Sequence, residues 1–285
     1  MARLPGTTGR ADASIPKLIS MKKLRLTAVS YLNTKPFIYG IFRTAFSEHI
    51  ELSLDIPSVC AQKLRNGDAD LALSPVAIIP ELPQTHLVSD YCIGTVGAVK
   101  TVCIFSEKPL HEITRLYLDF HSKTSATLAP ILCREYWGIQ PEFLQATEGF
   151  EQRIGGETAG LVIGDRAIGL ERQFPFVYDL GEAWLQWTGL PFVFAAWLSV
   201  RPLEEEFVVR FNSALQSGIA RIPELTKILP HIPGFDVEAY FRQNISYELD
   251  EAKWLGLNRF LGYLPGFIPG ALQREAPSAV GLHTE

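Results

Sequence analysis

The chain has 285 residues, 47% of them apolar and 20% charged, a globular balance with enough length for one large domain or two ordinary ones. Its 26 basic and 31 acidic residues leave a net charge of −5, which excludes the basic face that nucleic-acid binding needs. An anionic ligand must therefore be met by local donors. Residues 1–20 lack the continuous apolar core of a signal peptide, and Met21 stands where the first strand begins. They read as a disordered extension or an upstream mis-start.

From residue 22, short apolar runs alternate with helical segments, the pattern of an α/β protein. LRLTAV reads as the first strand. It leads into SYLNTKP, a strand-to-helix turn with five hydrogen-bonding side chains and no glycine. ELSLDI reads as a strand, and PSVCAQKLRNG as a helix with Pro57 near its start and Gly67 as its left-handed stop. ADLALSPV is a buried strand ending at Ser74. The β-rich TVGAVKTVCIFSEKP passes to a second unit, in which RLYLDF, PEFLQA and AGLVIGD are strands. SATLAPILCREYWG is its helix, with Pro130 expected in the first turns. The aromatic-rich VYDLGEAWLQWTGLPFVFAAWLSVRP crosses back, and its longest apolar run is too short to span a bilayer.

The last third is helical, with one apolar stripe at Phe207, Phe211, Leu215 and Ile219 and another at Trp254, Leu257, Leu261 and Leu264. This order gives two α/β lobes. Residues 21–100 with 199–265 form a discontinuous first lobe, 101–198 form the second, and 266–285 are a loose tail. The expectation is a soluble, cytoplasmic protein with no membrane or nucleic-acid partner.

Ligands of open α/β sheets collect outside the carboxyl ends of strands, and four polar turns meet that criterion. They are Ser30-Tyr31-Leu32-Asn33-Thr34-Lys35, then Ser74, then Ser122, Thr124 and Ser125 in DFHSKTS, and finally Gly164-Asp165. Hydroxyls at a helix start, with Lys123 among them, suit a carboxylate or phosphate; plain N-capping is the competing role. The six histidines make no metal-binding pattern, and only His121 lies in a polar turn, where it is expected to be exposed. The four cysteines (Cys60, Cys92, Cys103, Cys133) have no CxxC or metal-ligand spacing and read as buried thiols. With no Walker, dinucleotide or G-x-S-x-G motif, no metal or other cofactor is expected.

The segments VSYLNTKPF, LSPV, DFHSKTS, VIGDRA and WTGLPFVFAAW, in this order, resemble the chorismate dehydratase family of the futalosine route to menaquinone. The resemblance covers roughly residues 22–265, with Lys123 and Phe37 as mild departures from its commoner residues. It implies the two-lobed fold of periplasmic binding proteins and a cytoplasmic enzyme. The implied reaction is cofactor-free loss of water from chorismate, giving 3-[(1-carboxyvinyl)oxy]benzoate. Asn33 and Ser74 are then the expected catalytic residues, with Ser30, Tyr31, Ser122, Thr124, Ser125 and Asp165 expected on the substrate. The sister enzyme that makes 1,4-dihydroxy-6-naphthoate is a rival, but its first turn reads Ser-Pro-Cys-Pro-Asn-Asp and it uses a histidine. A non-catalytic small-anion binder of the same fold is another.

Overall fold

The computed structural model describes residues 23–269 and 272–274. The expectation for residues 1–20 lies outside them. The strands are β1 (Leu24–Val29), β2 (Ile50–Asp55), β3 (Leu71–Pro75), β4 (His86–Thr95), β5 (Val102–Ser106) and β6 (Arg115–Leu118). They continue with β7 (Glu142–Gln145), β8 (Thr158–Ile163), β9 (Phe176–Asp179), β10 (Phe192–Ser199), β11 (Ser246–Glu248) and β12 (Gln273–Arg274). One sheet runs β11-β4-β10-β3-β1-β2, with β12 beside β4; the other runs β7-β6-β8-β5-β9. Each is mixed. The strands β1, β2 and β3 are parallel in the first sheet, as are β6, β7 and β8 in the second. No helix among the described residues is long and apolar enough to cross a membrane.

Parallel strands need helical crossovers, and the chain supplies α1 (Lys35–Arg43), α2 (Pro57–Asn66), α3 (Lys123–Glu135), α4 (Leu180–Thr188) and α5 (Glu205–Ala220). Pro57 opens α2, and Gly67 ends it at φ 74°. The helices α1 and α5 touch backbone to backbone. A Cβ on Gly40 would stand 2.0 Å from the Ala214 carbonyl oxygen, and one on Gly218 1.9 Å from that of Pro36. Only glycine fits at that crossing.

Three expectations are corrected. β10 lies in the first sheet, antiparallel between β3 and β4, so the return crossing precedes Phe192 instead of falling at 198. All eight of its residues are buried, because a central strand is covered on both faces. Pro130 is the eighth of the thirteen residues of α3, past its first turns. Within the tail, Leu272 is buried and Gln273–Arg274 pair with β4, so that part is not loose.

The first crossing, from β4 to β5, is tied at its middle. Val99 and Lys100 donate backbone N–H bonds of 3.1 and 2.6 Å to the Asp179 carboxylate, which also caps α4. Lys100 has φ 65°, the one positive value at a described non-glycine residue. That conformation is strained for a residue with a Cβ.

Candidate active site

Each of the four polar turns follows a parallel strand: β1, β3, β6 or β8. Parallel strands put these turns on one edge of each sheet, and the two edges face each other. Hydrogen bonds join them directly. Leu32 donates its N–H to both Asp165 oxygens (2.9 and 3.1 Å), Ser58 donates to the His121 carbonyl (2.9 Å), and Ala77 donates to Thr124 Oγ1 (3.2 Å). Between them lies a cleft of about 470 Å³, its mouth included. Val29, Ile93, Val102, Ile163 and Phe194 form apolar walls, while Tyr31, Asn33, Thr101, Ser122 and Ser125 bring polar atoms. No lining side chain carries a formal charge. An anion here would be held by neutral donors alone.

The turn after β1 explains its lack of glycine. Tyr31 is extended (φ −72°, ψ 163°) and leads into a short 3-10 turn, Leu32–Thr34, that runs on into α1. No position in it is left-handed, so no glycine is needed. The glycine it does need stands opposite: Gly164 has φ 66°, and a Cβ there would lie 2.5 Å from the Tyr31 ring. Asn33 Oδ1 accepts from Thr34 Oγ1 (3.3 Å), and the Asn33 backbone carbonyl accepts from the Tyr247 hydroxyl (3.0 Å).

At the start of α3, Ser122 occupies the cap position but makes no capping bond. Its Oγ lies 3.5 Å from that of Ser125, at the limit of hydrogen bonding. The first N–H groups of a helix have no partners inside it. Two hydroxyls and the positive end of the helix dipole are thus available to the cleft.

Of the eight residues singled out from the sequence, Tyr31, Asn33, Ser122 and Ser125 line the cleft. Thr124 instead bonds Ala77 across the lobes. Asp165 spends its carboxylate on Leu32, and burial raises its pKa against the pull of that N–H. Ser74 is fully buried, and its hydroxyl has no partner among the described residues. Ser30 sits at the end of β1 and does not line the cleft; its N–H bonds the Asp55 carbonyl (2.9 Å). Lys123 turns outward to pair with Glu81 on the other lobe.

His121 is half-buried, contrary to the exposure expected of it. Its Nδ1 lies 2.5 Å from the Tyr31 hydroxyl and the rings stack. Burial and then the Arg166 charge hold its pKa below the usual histidine range. Burial, and then Asp119, push the Tyr31 phenol up. Asp119 accepts from the His121 N–H (2.8 Å), the Ile163 N–H (3.0 Å) and Arg166, and so organises the turn before α3. Tyr247 carries no motif and lies over 200 residues from Asn33 in sequence; only the place of β11 in the sheet brings its hydroxyl to the Asn33 carbonyl. Among the described residues no cluster of histidine, cysteine and carboxylate side chains could hold a metal ion.

A family model described as "Menaquinone biosynthesis" matches residues 24–265. Chorismate dehydratase of Thermus thermophilus is 28% identical over 241 residues, covering 75% of this chain and 88% of that one. Among solved structures, a protein of Archaeoglobus fulgidus superposes with a TM-score of 0.63 at 15% identity, covering 84% of this chain and 96% of that one. A Candida albicans protein with the generic periplasmic binding protein fold gives 0.56 at 11%, covering 84% and 89%. At such low identity these structures establish the two-lobed fold alone.

Proposed function

The chain belongs to the menaquinone-biosynthesis family, and from that premise we propose that it is a chorismate dehydratase, eliminating water to give 3-[(1-carboxyvinyl)oxy]benzoate. The observation that carries the reading is the start of α3, where Ser122 and Ser125 meet an uncharged, largely apolar cleft with their hydroxyls uncommitted to capping. Its neutral hydroxyls and the free N–H groups of the helix start can hold one carboxylate of the substrate. A bound carboxylate would take charge-assisted bonds there, each worth about 1.5–3 kcal/mol.

In the reaction, the ring carbon that bears the enolpyruvyl ether loses its proton and the neighbouring carbon loses its hydroxyl. The C–H electron pair becomes part of an aromatic ring. Negative charge that develops on the way is conjugated to the ring carboxylate, so donors at the start of α3 stabilise it. The enolpyruvyl carboxylate hangs, through the ether oxygen and its vinyl carbon, from the ring carbon being deprotonated, and it is the base in this scheme. The proton it takes leaves with the hydroxide as water. Asn33 supports the departing hydroxyl, because an amide can donate without charge. The apolar walls exclude water and orient the substrate. Asp165, committed to Leu32, keeps the Asn33 turn in place and is not the base.

Incubation of the purified protein with chorismate, followed by mass analysis, tests this. A product lighter by one water, formed equally after chelation and exhaustive dialysis, is expected. Unchanged chorismate with consumption of a futalosine-derived substrate would establish the sister reaction instead. Tight binding without any change in mass would make the protein a binder.

A further inference from the structure

A dicarboxylate brings two carboxylates into the cleft, and the start of α3 supplies donors for one of them. No lining side chain carries a formal charge, so inside the cleft the other must also find a neutral donor. Tyr31, Asn33, Thr101, Ser122 and Ser125 are the lining residues with polar side chains. The two serines belong to the start of α3, Asn33 accompanies the departing hydroxyl, and the Tyr31 hydroxyl lies 2.5 Å from His121 Nδ1. Thr101 is left without a task.

Thr101 stands where the first crossing enters β5, and its main chain is held from both sides. Val99 and Lys100 are clipped to Asp179, and the Thr101 carbonyl accepts from the Gly164 N–H (2.8 Å). Its hydroxyl lies 2.8 Å from that of Tyr240, and 3.5 Å from the Val99 carbonyl, at the limit of hydrogen bonding. Tyr240 is 2% exposed, and the geometry gives its hydroxyl Thr101 alone among the described residues. A threonine hydroxyl has one proton to donate and two lone pairs to accept with, whereas a phenol is the stronger acid and the weaker acceptor. The short bond therefore runs from Tyr240 to Thr101. The Thr101 proton is then free, with only the marginal Val99 carbonyl as an acceptor among the described residues. A buried donor left unmet is costly, and the space that Thr101 borders is the cleft.

We propose that Thr101 binds the carboxylate of the enolpyruvyl ether, donating its hydroxyl to one carboxylate oxygen, a role that rests on the dehydratase reading above. Tyr240 is its positioning residue: the phenol occupies a lone pair of Thr101 and turns the threonine proton toward the ligand. With one oxygen held by Thr101, the other is free to take the ring proton. A neutral donor orients this carboxylate without the positive charge of a lysine or arginine, which would lower its basicity further.

Two probes separate this contact from the start of α3. They are 3-(carboxymethoxy)benzoate, with carboxylates on ring and ether, and 3-methoxybenzoate, with the ring carboxylate only. The parent protein should bind the first more tightly in calorimetry. Thr101→Val should weaken it about tenfold or more, as for one charge-assisted bond, and leave 3-methoxybenzoate within about twofold. Thr101→Ser should restore the parent affinity, while Ser125→Ala should weaken both probes alike. Because Thr101→Val strands the Tyr240 hydroxyl, its combination with Tyr240→Phe removes both polar groups together, a change that is nearly neutral for folding. The double variant should melt close to the parent and still lose the preference for the dicarboxylate. Tyr240→Phe alone should lose part of that preference and should add nothing in the Thr101→Val background. With chorismate, Thr101→Val should lower kcat by roughly ten- to a hundred-fold, because the base is misplaced. Equal affinity of the parent for the two probes, no binding of either, or a preference that survives Thr101→Val overturns the proposal. A loss that falls equally on both probes would make Thr101 structural and overturns it as well. If the parent leaves chorismate intact, the dehydratase reading fails, while the two probes still report whether Thr101 holds a second carboxylate.

Discussion

Ser125 and Asp165 lie within one small region, yet they ask different things of a substitution. Ser125 has a hydroxyl with only a long bond to Ser122, so Ser125→Ala removes a donor to the ligand and leaves the fold unchanged. At about 1.5–3 kcal/mol for a charge-assisted bond, chorismate use should fall about tenfold or more, read as kcat/KM. Wild-type kcat/KM would remove Ser125 from the site. Asp165 is already used, accepting the Leu32 N–H. Asparagine retains an acceptor oxygen, so Asp165→Asn should keep turnover within about tenfold, while Asp165→Ala leaves a buried donor unmet at about 1–3 kcal/mol. Abolished turnover in Asp165→Asn with unchanged substrate binding would make Asp165 the base in place of the substrate carboxylate. The sequence made Ser122 and Ser125 legible because hydroxyls at a helix start have a local meaning. It could not separate them from Thr124, one position away, because which of three adjacent hydroxyls faces the cleft depends on the other lobe.

Between elements, the contact of α1 with α5 sets where the front of α1, and with it Asn33, can stand. Gly218→Ala would drive a methyl into the Pro36 carbonyl. Overpacking of this kind costs about 1–3 kcal/mol, and in a protein this size each kcal/mol lowers Tm by roughly 2–4 °C. Both Tm and kcat should fall; an unchanged Tm would mean that the helices part freely. A charged contact secures β1 to β3. Asp70 accepts from the Arg25 backbone N–H (3.0 Å) and side chain (3.1 Å) and from Arg201 (3.3 Å). Burial favours its neutral form, but these bonds outweigh it and bring its pKa from 3.8 to about 2. A lowered carboxylate pKa stabilises the fold above the unfolded value, and that contribution is lost as pH falls through the folded one. Stability should therefore drop between pH 3.8 and about 2. Asp70→Asn should be less stable at neutral pH and flatter across that window in denaturant titrations; an identical slope would refute the assignment. Most strands and helices were legible, since β1, β3 and α2 carry their period and their stops in the local sequence. β10 was assigned to the wrong lobe because an apolar run shows that a strand is covered on both faces but not which sheet covers it.

Across the whole molecule, backbone donors of the first lobe (Leu32, Ser58, Ala77) end on acceptors of the second (Asp165, the His121 carbonyl, Thr124), with Lys123 and Glu81 adding an ion pair. This arrangement could not be read from one dimension, because each donor and its acceptor sit more than 40 residues apart. These bonds join the lobes beside the cleft, so a product that leaves by parting the lobes must break them first, and they do not depend on whether the ring inside is aromatic. Release would then be slower than chemistry, as in many enzymes that close over their substrates. Rapid mixing of enzyme with excess chorismate should give a burst of product equal to one turnover, followed by a slower linear phase. Thr124→Val removes the acceptor of Ala77 and should speed the linear phase. A progress curve that is linear from its first turnover would mean that the lobes part faster than the ring forms.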